Sequence, residues 1–381
     1  MAADQSPPKG AVGATLLAAA TLLAAAAPAL AETPPERGSF SVRYLDYLDR
    51  QPDLERIRIR APSLMLAAPL AKVWLLEASY VADAVSGASP AFHTVARSAS
   101  SITDRREAVD AKLTRYTPWG TVKLGAAYSN ESDYLSRALS LQASVFSDDK
   151  NRTLNFGVGV TRDRINPVND RVSNERKATH DVALGLTQVL TPTDLVQLNL
   201  TYASGRGYFS DPYKFLDERP RERDQSVLLL RWNHHFVAAE GTARSSYRYY
   251  TDSWDVKAHT LTLEYVQPLP AGWSLTPLLR LYSQGAARFY ADVNAASPSR
   301  PRLPSGYVSG ETLLSYDQRL SAFGARTFGV KLAKQINPDW LVDVKVEDYA
   351  QRSGWHIGGE GSPGLATFKA RMLQFGLTRL F

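Results

Sequence analysis

The chain of 381 residues contains no cysteine. That excludes a disulfide scaffold, a thiol nucleophile and a thiolate metal cluster. Histidine is scarce too. His93, His180, His234, His235, His259 and His356 never pair at the i,i+4 spacing of a zinc helix or the i,i+2 spacing of a strand site. No metal and no other cofactor is expected. Long apolar runs are missing except over Ala11–Ala27, which excludes a bundle of transmembrane helices. At 44% apolar and 22% charged the chain is not disordered either. The formal charge of +6 comes from basic residues scattered along the chain rather than from a dense patch, so no nucleic-acid partner is expected.

What is there begins with an address. Lys9 precedes the Ala/Leu run, which ends in Ala29-Leu30-Ala31 ahead of a polar, Pro-rich stretch at Glu32–Glu36. This is the order of a cleaved secretory signal peptide, expected over residues 1–31. A short periplasmic segment, 32–38, follows it. The implied host is a Gram-negative bacterium.

From Phe40 onward the apolar residues recur every second position. Val122, Leu124, Ala126 and Tyr128 alternate with polar or small residues, as do Leu154–Val160, Val196–Tyr202, Leu261–Tyr265 and Val342–Val346. Each is a strand with one apolar and one polar face. The connections are sorted by length. Tight ones fall at Pro69-Leu70-Ala71, Pro118, Asp148-Asp149-Lys150, Thr191-Pro192, Ala239-Glu240-Gly241, Leu269-Pro270-Ala271 and Asn337-Pro338. Long ones span 85–103, 164–175, 207–221, 285–312 and 351–366. The pattern predicts an antiparallel, up-and-down outer-membrane β-barrel over 39–381. About sixteen strands are expected, or fourteen or twelve if the first strands lie outside the wall. Tight turns then face the periplasm and long loops the exterior.

Trp74, Trp119, Trp273 and Trp340 each follow a tight turn and would form an interfacial girdle there. Tyr128, Tyr202, Tyr249 and Tyr282 would form the opposite one. The C-terminus alternates through Leu373, Phe375 and Leu377 to a terminal Phe381. This is similar to the signal read by the barrel assembly machinery, with Arg379 a departure from it.

The stretches Ser39–Asp49, Gly207–Tyr213, Tyr247–Trp254 and Arg288–Asp292 (SFSVRYLDYLD, GYFSDPY, YRYYTDSW and RFYAD) resemble a family of predicted outer-membrane proteins of unknown function. The resemblance covers roughly Ser39 to Phe381. It implies location and fold, and carries over no catalytic residue. It also implies an envelope redox neighbourhood, with a flavin-transferase-like protein, a thioredoxin-like protein and a small lipoprotein encoded nearby.

Charges on a lipid-facing wall cost a few kcal/mol each near the midplane. Parity therefore turns Lys123, Arg231, Arg244, Arg248 and Glu264 into the lumen, together with Arg280, Lys331, Asp343, Lys345 and Glu347. Their cationic majority would favour anions, although Arg248, Glu264 and Arg280 could simply pair with one another. Arg56, Arg58 and Arg60 would add positive potential at the mouth, and Arg219, Arg221 and Arg223 would meet lipopolysaccharide at the rim. Two hydrolase constellations occur in the sequence: Ser245, Ser253 and His259, and Asp252, Asp255 and His259. The second reads first as a hairpin turn. No catalytic residue is assigned, and the chain reads as a non-enzyme. The leading function is a passive pore or export channel for a small polar or anionic solute. The alternative is a non-catalytic scaffold holding a periplasmic or lipoprotein partner. An open lumen would favour the first, and a lumen closed by ion pairs or by the 285–312 loop the second.

Overall fold

In a computed structural model, residues 33–51, 54–90, 99–214, 216–293, 303–308 and 310–381 are described. The export segment expected over residues 1–31 lies outside them. Sixteen strands follow one another as hairpins: β1 Ser39–Gln51, β2 Leu54–Leu70, β3 Trp74–Pro90, β4 Ala99–Thr117, β5 Gly120–Asn130, β6 Tyr134–Phe146, β7 Arg152–Ile165 and β8 Glu175–Thr191. The second half comprises β9 Asp194–Gly207, β10 Glu222–Phe236, β11 Gly241–Asp252, β12 Lys257–Leu269, β13 Trp273–Gln284, β14 Phe323–Asn337, β15 Trp340–Arg352 and β16 Phe368–Leu380. Each pairs antiparallel with its sequence neighbours, and β1 pairs with β16 from Ser39↔Leu380 to Arg50↔Lys369, closing the barrel. Closure leaves no sheet edge, so every wall amide and carbonyl can be bonded within the sheet, which a hydrocarbon environment demands.

The two ends differ. At one, all seven connections are tight turns. The three-residue β2–β3 turn places Ala71 and Lys72 at φ of 48° and 60°, the left-handed values of a primed turn, here adopted without glycine. At the other end lie three long connections, at 166–174, 208–221 and 285–322, and a fourth at 353–367. Sorting by length is incomplete there, because β5–β6 and β11–β12 are joined by short links as well. Within the 85–103 stretch, residues 85–90 and 99–103 are strand: β3 and β4 stay paired as far as Pro90↔Ala99. Its Ser, Ala and Gly residues lack an apolar face, but ladder pairing needs only backbone.

Alternation separates the faces. Leu124, Leu139, Val158, Val182, Leu200 and Phe328 are exposed on the outer wall, while their neighbours in sequence point inward. Trp74, Trp273 and Trp340 begin β3, β13 and β15 at the tight-turn end, and Trp119 lies in the β4–β5 turn, 53% exposed. Arg115 covers Trp74 at 5.2 Å, Lys334 covers Trp273 at 5.1 Å and Arg379 covers Trp340 at 5.7 Å. Arg379, the departure in the C-terminal pattern, is thus seated on an aromatic face. Leu373, Phe375 and Leu377 lie on the outer face of β16, and Phe381 joins its backbone to Gly38. Tyr128, Tyr202 and Tyr249 face outward, but Tyr282 does not. It points into the barrel and donates to Gln284 Oε1 at 2.6 Å, since it shares the parity of Arg280.

Candidate functional site

The inner surface has two parts. Toward the tight turns, a cavity of about 400 Å³ is lined along β11–β16 and β1 by Arg43, Arg244, Glu264, Lys331, Asp343 and Lys345, with Ser274, Thr276 and Gln374 among the smaller members. Four cations thus face two carboxylates. Asp343 is the hub: it is buried, and Lys331 and Arg43 approach it at 3.5 and 3.8 Å. It can lean onto the wall because its register partner is Gly376, where a Cβ would lie 2.5 Å from a carboxylate oxygen. Lys345 pairs with Glu347 at 2.9 Å, and Lys123 on the far wall with Glu77 at 3.3 Å. The pairing expected among Arg248, Glu264 and Arg280 does not form. Glu264 stands opposite Arg244. Arg248 stands opposite Thr260 and rests over Tyr250 at 5.3 Å, and Arg280 stands between Thr262 and Thr327. Arg231, on the same face of β10, lies opposite Ser246. The ten residues named from parity therefore share the inner face. Arg43 belongs with them, and the alternation of Val42 with its neighbours held the signal for it.

Toward the long loops four inner carboxylates each hold a cation. Asp49 meets Arg56 at 3.9 Å, Asp163 meets Lys177 at 3.0 Å, Asp252 meets Arg223 at 2.7 Å, and Asp83 pairs with Arg106. Above them the loops fold into a cap. Trp254 is fully buried with Val256, Ala287, Phe289 and Leu320, and Phe209 and Phe289 meet it edge-on at 5.5 and 5.2 Å. A second apolar cluster joins Val293, Leu314 and Tyr316. Between the loops at 208–221 and 285–322 runs an ionic chain, buried at Asp217 and Asp317 and open to solvent at Arg319. Arg219 bonds Asp217 at 2.8 Å and Asp317 at 2.7 Å, Arg319 bonds Asp211 at 2.7 Å, and Ser315 bonds Asp217. Backbone bonds between Glu218 and Leu314 lock the two segments in register.

Burial alone would raise the Asp317 carboxyl, but Arg319, Lys214 and Arg219 overcome it and hold the group well below the usual carboxylate range. Burial pushes the Lys214 ammonium down, and the charge of Arg56 adds to that. Arg56 belongs to β2, across the ring from β9 and β10, so the loop carrying Lys214 reaches over the mouth. Tyr213 extends the same loop to Asp133 at 2.6 Å. Three of the four stretches that carry the family resemblance converge in this cap, supplying Phe209, Tyr250, Trp254 and Phe289.

Several rim expectations change. Arg219 is buried in the ionic chain, Arg223 pairs with Asp252 inside the mouth, and Arg221 forks onto Glu175 at 2.7 and 2.8 Å. Arg56 points inward, whereas Arg58 and Arg60 point outward beside Asp46. A register shift between Leu48 and Arg50 puts Arg56 on the same side as Asp49. Neither hydrolase constellation assembles. His259 Nδ1 bonds Tyr247 at 2.7 Å, Ser245 donates to the Trp232 carbonyl, and Asp252 accepts the amides of Trp254 and Val256 at 3.0 Å, closing a turn.

No curated protein matches the chain. Among solved structures, a bacterial polysaccharide outer-membrane secretin aligns with a TM-score of 0.51 at 7% identity, covering 90% of this chain and 98% of that one. It shares the fold. The glucuronate complex of OccK2 (OpdF) from Pseudomonas aeruginosa aligns at 0.45 and 12% identity over 91% and 98% of the two chains. The CymD monoaromatic hydrocarbon channel aligns at 0.45 and 11% over 99% and 95%. A family model described as a protein of unknown function (DUF3570) matches residues 93–175 and 169–372. That span holds most of the wall and all of the cap, and the chain belongs to this family, as a sixteen-strand barrel of the outer-membrane type.

Proposed function

We propose that this barrel resides in the outer membrane and passes a small anionic solute through its lumen, with the long loops outside. The observation that carries the reading is the excess of cations around the lower cavity. Arg43, Arg244, Lys331 and Lys345 stand against Glu264 and Asp343 in its lining and Glu347 beside Lys345, so the cations still outnumber the carboxylates. A low-dielectric wall focuses such a field along the axis and raises the local concentration of anions. The cavity's size suits a molecule of a few heavy-atom groups rather than a polymer. Planar-bilayer recording of the refolded protein under a salt gradient tests the reading. A conductance with a reversal potential on the anion side is expected, moving toward zero in the R244Q/K331Q/K345Q variant. A second reading, a non-catalytic scaffold for a periplasmic or lipoprotein partner, is favoured by the folded cap over the mouth. A silent bilayer from protein with heat-modifiable gel mobility would overturn the channel and leave the scaffold.

A further inference from the structure

On the outer wall of β6–β9, just beyond the apolar band, five arginines crowd together. Arg137 stands directly opposite Arg162, and Arg164 directly opposite Arg176, in the register of the sheet. Arg206 follows across Ala178. All five are exposed. Like charges facing each other across a ladder are destabilising, and here two such pairs are adjacent. Arg162 donates to the Nε2 of His180 at 3.3 Å, a neutral partner that leaves its charge unmatched.

Elsewhere at this level outward arginines have company: Arg58 and Arg60 have Asp46, Arg105 has Glu107, Arg371 has Asp348, and Arg326 covers Trp355 at 4.7 Å. Within the arc, Arg206 has Glu222 at 3.4 Å, whereas Arg164 donates only to the neutral Asn174 side chain and Arg162 to the Thr161 carbonyl and His180. Among the described residues no carboxylate pairs with Arg137, Arg162, Arg164 or Arg176. Below them the wall is Leu139, Val158, Val160, Val182 and Tyr202, an acyl-chain surface.

We propose that this arc is a docking surface for lipopolysaccharide, its arginines gripping the phosphates of the lipid while the acyl chains lie along the apolar strands beneath. The charge complementarity argues for it: guanidinium forks bind phosphate bidentately, and a bound phosphate relieves the facing repulsion. The surface is separate from the lumen, so the proposal stands whether or not the barrel conducts.

The test uses the folded full barrel in detergent and fluorescent lipopolysaccharide carrying both lipid A phosphates. The R137Q/R162Q/R164Q/R176Q variant is compared with R58Q/R105Q/R371Q, which removes arginines at the same level that already have carboxylate partners. Each arginine near an anionic surface contributes roughly fivefold, so the first variant is expected to bind more than about tenfold more weakly, and the second to bind as the parent does. Dephosphorylated lipopolysaccharide should bind the parent as weakly as it binds the variant. A loss below tenfold, equal binding of the dephosphorylated lipid, or equal binding of phosphatidylglycerol would overturn the proposal. Heat-modifiable mobility shows that each variant is folded. As a second readout, lipopolysaccharide should raise the unfolding temperature of the parent and not that of the variant.

Discussion

The two halves of the lumen are built from the same residue types and use them oppositely. Toward the long loops, Asp49, Asp83, Asp163 and Asp252 each hold one cation, and the cap above is sealed by Trp254 and the Asp217–Arg219–Asp317–Arg319 chain. Toward the tight turns, Arg43, Arg244, Lys331 and Lys345 outnumber their carboxylates around open space. Matched charges fill and fasten; unmatched charges leave a field. On the proposed reading the upper half sets how much passes and the lower half sets what passes.

The largest expected effect is on the upper half. Asp317 is fully buried between two guanidinium groups, and removing one partner of such a cluster costs about 3–5 kcal/mol. D317A should free the cap while leaving the wall intact, so trypsin should cut at Lys214 and Arg319 in protein that keeps its heat-modifiable mobility. Truncating Trp254 should do nearly the same, since emptying a buried Trp site costs about 3–5 kcal/mol. If D317A instead unfolds the barrel, cap and wall are one cooperative unit and the two-part description fails.

Acid should break the halves apart as well. A carboxyl depressed in the folded state contributes stability that is present above its unfolded value and is lost as pH falls through its folded value. Asp317 is strongly depressed. Amide protection of 210–221 and 310–320, followed by hydrogen exchange, should therefore persist below the pH at which ordinary carboxylates protonate and collapse only in strong acid. Loss of protection near pH 5 would contradict the assignment.

A smaller effect sharpens the lower half. At Gly376 an added methyl would push the Asp343 carboxylate off the wall, loosening its hold on Lys331 and Arg43. G376A should change the ion selectivity of a conducting barrel by a factor of about two and its stability by about 1–3 kcal/mol. The smallest effect lies outside both halves. Replacing Ala71-Lys72 by Asn-Gly relieves two left-handed residues and should stabilise the protein by about 1 kcal/mol in urea titrations.

The wall was legible because period-2 alternation is a local signal that a closed sheet obeys strand by strand. Inner positions such as Lys331, Asp343 and Lys345 followed from parity alone. The cap was not legible, because its contacts are long-range and aperiodic: Asp217 and Ser315 meet across 98 positions. One trace of it was there. Asp217-Glu218-Arg219 and Asp317-Gln318-Arg319 repeat an Asp-x-Arg spacing in two loops, and these two motifs supply most of the ionic chain. Arg219 and Arg221 were misplaced for the same reason, since a loop residue has no parity to fix which way it points, whereas Arg223 lies at the start of β10 and shares the inward parity of Arg231. The outer arc at Arg137–Arg206 was hidden differently. Each of its arginines looks ordinary on its own strand, and only register sets Arg137 against Arg162.

The division of labour is tested most directly by recording parent and D317A barrels in the same bilayer under the same salt gradient. D317A should show a larger single-channel conductance with the anion preference retained, because the selecting charges lie below the cap. An unchanged conductance, or an anion preference lost with the cap, would contradict it.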